Sequence, residues 1–180
     1  MIIGITGTNG AGKGTVVDYL VKQKGFTHFS ARGFIAEELA RRGLPLNRDN
    51  TMPVANELRA KYGPGYILEQ LFERAQKEGG DAVLESVRVI GEAQFLKSKS
   101  ALVWAVDADR RARFDRIMKR ASELDRVPFE KFVIEEDREL NSTDPTKQNM
   151  AGVMAMADTV LTNNGSPEEL YKQVEEALKK

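Results

Sequence analysis

Apolar side chains return along this chain in two rhythms, one of strands and one of helices. The run from Met1 to Thr6 predicts a short apolar strand. Val16, Val17, Leu20 and Val21 then recur at helical spacing over 13–23. FTHF at 26–29 reads as a second strand, and Phe34, Ile35 and Leu39 mark a helix to Arg42 that Gly43 stops. Leu44 to Asn50 reads as a loop, with Thr51 the N-cap of a helix through Tyr62. After the break at Gly63-Pro64-Gly65, Ile67, Leu68, Leu71, Phe72 and Ala75 mark the next helix. DAVLESV at 81–87 and ALVWAV at 101–106 are buried-type strands, separated by a short helix from Glu92 to Lys97. Helices over about 109–124, 128–140 and 147–156 lead to a last strand, TVLTN at 159–163. Ser166, Pro167 and Glu169 supply an N-cap, a first-turn proline and a capping-box acid for a final helix built on Leu170, Val174 and Leu178.

Strands that alternate with helices imply a parallel sheet covered on both faces. Such sheets bind ligands at the carboxyl ends of their strands. Strand one ends at a glycine run, strand three at Glu85 to Arg88, strand four at Asp107, and strand five at Asn163-Asn164-Gly165. These polar groups therefore gather on one edge.

Composition narrows the picture. The 180 residues, 41% apolar, suit one domain with a small insertion. Lysines plus arginines and aspartates plus glutamates each number 27, a balance that argues against a nucleic-acid partner. With no cysteine, disulfides, thiolate metal sites and cysteine nucleophiles are excluded. No leader and no bilayer-length apolar stretch is evident, so the expectation is a soluble cytoplasmic protein, monomer or homodimer, with no membrane partner. His28, the one histidine, lies in an apolar strand where a structural role is expected, and Met150, Met154 and Met156 read as core filler.

The chemistry centres on Gly7-Thr8-Asn9-Gly10-Ala11-Gly12-Lys13-Gly14-Thr15, which follows a strand and opens a helix. Glycines let successive main-chain N–H groups converge on phosphate oxygens, and the helix start adds partial positive charge. Lys13 can reach the β- and γ-phosphates. Thr15 either meets magnesium or phosphate, or caps the helix. The spelling GxxGxGKGT resembles adenylate kinases and related nucleoside monophosphate kinases. The resemblance implies a three-layer αβα P-loop NTPase fold, with a five-stranded parallel sheet in the order 2-3-1-4-5. It implies a core of residues 1–30, 79–108 and 157–180, a helical acceptor-binding region at 31–78 and a lid at 109–150. It also implies ATP and Mg2+ as ligands and a small nucleotide as acceptor.

Ala82-Val83-Leu84 delivers Glu85 to the active edge, where a carboxylate can hold magnesium or accept a proton. Glu85-Ser86-Val87-Arg88 resembles the DGxPR segment of adenylate kinases, with Glu for Asp and without the Gly and Pro. The resemblance implies that Arg88 grips the acceptor phosphate. Arg113, Arg116 and Arg120 fall within about 60° on a helical wheel. Phosphoryl transfer needs such cations, and Arg116 or Arg120 is expected over the γ-phosphate. Arg126 and Arg138 are further candidates. The alternative is a basic face paired with Glu123, Glu135, Glu136 and Asp137.

Adenylate kinases bind the monophosphate through STGDxLR, and here the matching stretch is Ser30-Ala31-Arg32-Gly33-Phe34-Ile35-Ala36. Arg32, Arg48, Asn50, Asn56 and Arg59 are the polar groups on offer to the acceptor, with Asn56 and Arg59 on one helical face. Ala157-Asp158-Thr159-Val160-Leu161-Thr162-Asn163-Asn164-Gly165-Ser166 resembles dephospho-coenzyme A kinases, which implies that Asn163, Asn164 and Gly165 lie by the adenine. Asp144 to Asn149 reads as a polar block that caps a helix, and it looks like P-loop kinase-like domains of deoxynucleotide metabolism. Three functions follow: a nucleoside or deoxynucleoside monophosphate kinase, a dephospho-coenzyme A kinase-like enzyme, or a nucleotide-binding regulator with slow hydrolysis.

Overall fold

The computed structural model describes residues 1–120 and 127–179, apart from the side chains of Arg48, Arg120, Arg138 and Glu139. Arg120, Arg126, Arg138 and Glu123 therefore lie outside the described side chains. Five strands form one parallel sheet: β1 (Ile2–Thr6), β2 (Thr27–Ser30), β3 (Ala82–Glu85), β4 (Leu102–Asp107) and β5 (Thr159–Thr162). Their spatial order is β2-β3-β1-β4-β5. In register, Ile3 lies between Val83 and Leu102, Ser30 pairs with Glu85, and Asp107 pairs with Thr162.

Alternation along each strand splits the core in two. Ile3, Ile5, Val83, Trp104, Val106 and Leu161 face α1 (Lys13–Lys24) and α9 (Pro167–Ala177). Ala82, Leu84 and Val103 face α4 (Tyr66–Glu78), α5 (Ile90–Ser98) and α8 (Met150–Ala155). Wholly buried Leu68, Leu71, Leu96 and Trp104 each contribute about 1.5–3 kcal/mol or more by leaving water. Ser166 caps α9 through a capping box with Glu169, as its sequence predicts.

Two more helices, α2 (Ala31–Arg41) and α3 (Arg48–Tyr62), are clipped together at the surface. Arg42 donates to Glu38 at 2.6 Å and in a fork to Glu57 at 2.8 and 3.0 Å. Hydrogen bonds from Arg41 and Arg42 pull the Glu38 carboxyl down to a pKa of about 2. α6 (Arg110–Arg120) and α7 (Phe129–Leu140) follow β4 and share an aromatic contact of Phe114 with Phe129 and Phe132.

Three boundaries differ from the sequence expectation. α3 starts a turn early, because Asn47 accepts from Asn50 N at 3.0 Å and takes the cap, while Thr51 donates back to Asn47 O. β3 stops at Glu85, since Ser86 turns the chain at φ +79° and Ser86 N and Val87 N both donate to Ile5 O. The helix expected over 147–156 is only α8, because Asp144 accepts from Thr146 N at 2.9 Å in a local turn and Asn149 is the cap.

Candidate active site

The glycine run forms the loop from β1 to α1. Gly7 and Gly12 hold φ +136° and +103°, values L side chains rarely adopt. A Cβ on Gly12 would lie 2.1 Å from Asn163 Nδ2. That amide is a strut: its Nδ2 donates to Ala11 O at 2.8 Å, and its main-chain N donates to Asp107 O at 2.7 Å. Lys13 Nζ folds over the loop onto Gly7 O at 2.8 Å and Thr8 O at 2.9 Å.

The loop suits a polyphosphate on three counts. The N-cap of α1, Gly12, provides no side-chain acceptor for the first-turn amides, and this helix end favours an anion. Lys13 stands beside them. The Thr8 hydroxyl is buried and has no hydrogen-bond partner, alone among the buried side-chain polar atoms of the described residues.

Glu85 ends β3 and accepts a hydrogen bond from His28 Nε2 at 2.9 Å. His28 pairs with Val83 in the β2–β3 register, which puts it diagonally beside Glu85 on the same face. That hydrogen bond, with Lys13 and Arg88 nearby, holds the Glu85 carboxyl below its usual range against the opposing effect of burial. Next to it, Ser86 occupies the left-handed region that glycine favours, at the place where the resembling segment has its Gly. Arg88 Nη1 donates to Gln148 Oε1 at 2.9 Å, and Arg88 O accepts from Asn149 N at 3.0 Å. The polar block before α8 thus docks on the Arg88 turn.

A cavity of about 440 Å³ opens beside the loop, within the range of small-molecule sites. Gly7, Thr8, Asn9 and Lys13 line it, as do Arg32, Asn56, Arg59 and Arg88. Phe132 and Leu140 of α7 contribute apolar surface. Arg32, Asn56, Arg59 and Arg88 thus share one cavity with the phosphate loop, whereas Asn50, also on offer from the sequence, is outside its lining. α4 contributes only Ile67, so within 31–78 the wall comes from α2, α3 and the turn before α3. Glu85, Thr15 and Arg116 are outside the cavity lining.

Two arginines of α6 also meet the loop. Arg116 Nη2 donates to Asn163 O at 2.7 Å and Nη1 to Gly10 O at 3.4 Å. Buried Arg113 donates to Ala108 O at 2.8 Å and to Asn9 O at 3.4 Å, and pairs with Glu136. Arg110 also reaches Glu136, at 2.8 Å, and Asp137, at 2.7 Å. Asn164 Oδ1 accepts from Asp109 N at 2.8 Å, and a Cβ on Gly165 would meet Glu169. Asn163 and Asn164 therefore join the β5 end to the loop and to the start of α6, while Gly165 packs against Glu169 of α9. Among the described residues, no cluster of three acidic or histidine side chains suits a metal, and no helix is long and apolar enough to cross a membrane.

Sequence reasoning missed Thr8 as a buried hydroxyl, Gln148 as the partner of Arg88, and Glu92. Glu92 is fully buried on α5 and accepts from Arg59 Nε at 3.0 Å and Nη2 at 2.8 Å. The sheet order implied by the resemblance already places β2 beside β3, so the His28–Glu85 contact was open to inference.

The AAA_18 family profile, an AAA domain, matches residues 3–141. A UPF0200 protein of Thermococcus kodakarensis is 31% identical, the match covering 99% of this chain and 96% of that protein. Among solved structures, TT1252 from Thermus thermophilus shares the fold with a TM-score of 0.66 at 21% identity, over 99% of this chain and 96% of that one. Shikimate kinase from Bacteroides thetaiotaomicron does so with a TM-score of 0.60 at 13% identity, over 99% and 97%. The fold is that of P-loop kinases, and the chain belongs to the AAA_18 family of AAA domains and to the UPF0200 proteins.

Proposed function

We propose that this protein is an ATP-dependent phosphotransferase that passes the γ-phosphoryl group to a nucleoside or deoxynucleoside monophosphate. One observation carries the reading: the phosphate loop and an arginine-bearing cavity share a wall at Gly7, Thr8, Asn9 and Lys13. Donor and acceptor bound on its two sides meet at Lys13. The loop amides and Lys13 hold the triphosphate, with Asn163, Asn164 and Gly165 toward the base. Arg88, Arg32, Asn56 and Arg59 take the acceptor, and its base has the Phe132 ring for an apolar partner. The acceptor oxygen forms a bond to the γ-phosphorus as the bond to the β–γ bridging oxygen breaks, and ADP leaves. Arg116 or Arg120 is the lid cation for the charge that spreads over the transferred oxygens.

Thr15 and Glu85 are the residues to hold Mg2+, which when bound neutralises phosphate charge. Glu85 fits that task because it is held ionised at the sheet edge. No protein nucleophile is required, since alignment and charge stabilisation carry this chemistry.

A second reading has a hydroxyl acceptor, as in a dephospho-coenzyme A kinase-like enzyme. The structural likeness to a shikimate kinase, a protein named for a hydroxyl-bearing substrate, favours it. The test is ADP release from Mg-ATP with a panel of nucleoside and deoxynucleoside monophosphates, dephospho-coenzyme A and shikimate. A monophosphate is the expected acceptor. Arg88→Ala is then expected to raise its KM by roughly 10- to 100-fold, the scale of one hydrogen bond to a charged group, and to leave ATP binding near wild type. Unchanged acceptor kinetics in Arg88→Ala would overturn the assignment of that cavity. ATP hydrolysis that no acceptor accelerates would point to the nucleotide-binding regulator.

A further inference from the structure

Glu92 is not part of the cavity lining, yet it holds two parts of the cavity together. It is wholly buried, and each of its oxygens has a separate task. Oε1 accepts from Nε and Nη2 of Arg59, a residue of α3 that is itself only 3% exposed. Oε2 accepts from the main-chain N of Arg88 at 2.7 Å and of Val89 at 3.3 Å. A buried carboxylate is costly without such satisfaction, and here four N–H groups surround it. Neither Arg59 bond uses Nη1, and the Arg59 side chain forms part of the cavity wall, as does Arg88.

We infer that Glu92 is the positioning residue of the acceptor site: it fixes the Arg59 guanidinium and the Arg88 turn in one arrangement, so that both arginines address the same oxyanion of a phosphate monoester. The inference rests on the acceptor cavity proposed above. The geometry explains why a carboxylate is needed rather than an amide. Glutamine offers one carbonyl oxygen, which can serve the Arg59 edge or the Arg88 amide but not both. Oε2 also caps the first turn of α5 through Val89 N, so the response of phosphate binding, not the hydrogen bond itself, separates positioning from capping.

The experiment compares wild type with Glu92→Gln and with the double variant Arg59→Met/Glu92→Met. The double variant removes both buried charges at once, a change that buried pairs often tolerate, and so guards against loss of folding. With Mg-ADP filling the loop, inorganic phosphate is titrated while the Nε–H signals of Arg59 and Arg88 are followed by NMR. In wild type both signals are expected to move with one dissociation constant. Glu92→Gln is expected to weaken phosphate at least 10-fold, and the double variant to weaken its effect on Arg88 as much. For whichever monophosphate wild type accepts, KM is expected to rise by a similar factor in both variants, with KM for ATP within twofold. Unchanged phosphate affinity in a folded variant overturns the inference, as does a parallel rise in both KM values. If wild type phosphorylates nothing but the phosphate titration behaves as described, the phosphotransfer reading fails and the role of Glu92 stands.

Discussion

Gly12→Ala tests the loop at its tightest point. Gly12 sits at φ +103°, and an added Cβ would approach Asn163 Nδ2 to 2.1 Å. Two costs follow. An L-residue held at this φ costs about 1–3 kcal/mol. Driving the Asn163 amide away leaves Ala11 O, on a fully buried residue, without its 2.8 Å partner, at about 1–3 kcal/mol more. The substitution should therefore destabilise by about 4 kcal/mol. Asn163→Ala alone loses the same hydrogen bond and should cost about 2 kcal/mol. Because that bond can be lost only once, Gly12→Ala/Asn163→Ala should again cost about 4 kcal/mol, leaving a coupling of about 2 kcal/mol. Trp104, the one tryptophan and wholly buried, reports urea unfolding of all four proteins by fluorescence. Costs that add to within about 0.5 kcal/mol would show that Asn163 does not brace Gly12, and would refute the argument.

Two other changes follow from local geometry. Ser86→Gly should stabilise by about 0.5–1 kcal/mol, since relief of the left-handed φ outweighs the entropy a glycine loses on folding; a destabilised variant in the same unfolding assay contradicts this. Glu38 titrates near 2 in the folded chain against an ordinary 4.5, so its pairing stabilises the fold fully above about pH 4.5 and fades as pH falls toward 2. The stability gap between wild type and Glu38→Gln should therefore be flat above pH 5 and shrink on acidification, and a gap that widens would reverse the sign of the effect.

The sequence carries the loop and the alternation of strands and helices because both rest on local signals: a glycine run between a strand and a helix, and apolar runs that alternate with helical stripes. The strand order comes from the resemblance of the loop to nucleoside monophosphate kinases, not from periodicity. Boundaries failed where two local signals competed. Asn47 and Thr51 both suit a cap, and only the Asn47–Asn50 contact decides between them. Asp144 favoured a turn over the helix expected there. Helical-wheel reasoning put Arg113 and Arg116 on one face and offered Glu136 among its acidic partners, as Arg113 shows, but it could not show that Arg116 meets two main-chain carbonyls. Glu92 and Arg59 are 33 residues apart on different helices, and no periodicity links them. Such pairings arise from how α3, α5 and α7 pack, which a one-dimensional pattern does not encode.

Calorimetric titration of the purified chain with Mg-ATP bears most directly on the claim that residues 7–15 cradle a triphosphate. Saturable one-to-one binding is expected, weakened roughly 10- to 100-fold by Lys13→Ala as one charge-assisted contact is lost. No heat from wild type, or equal affinity in the Lys13→Ala protein, would contradict it.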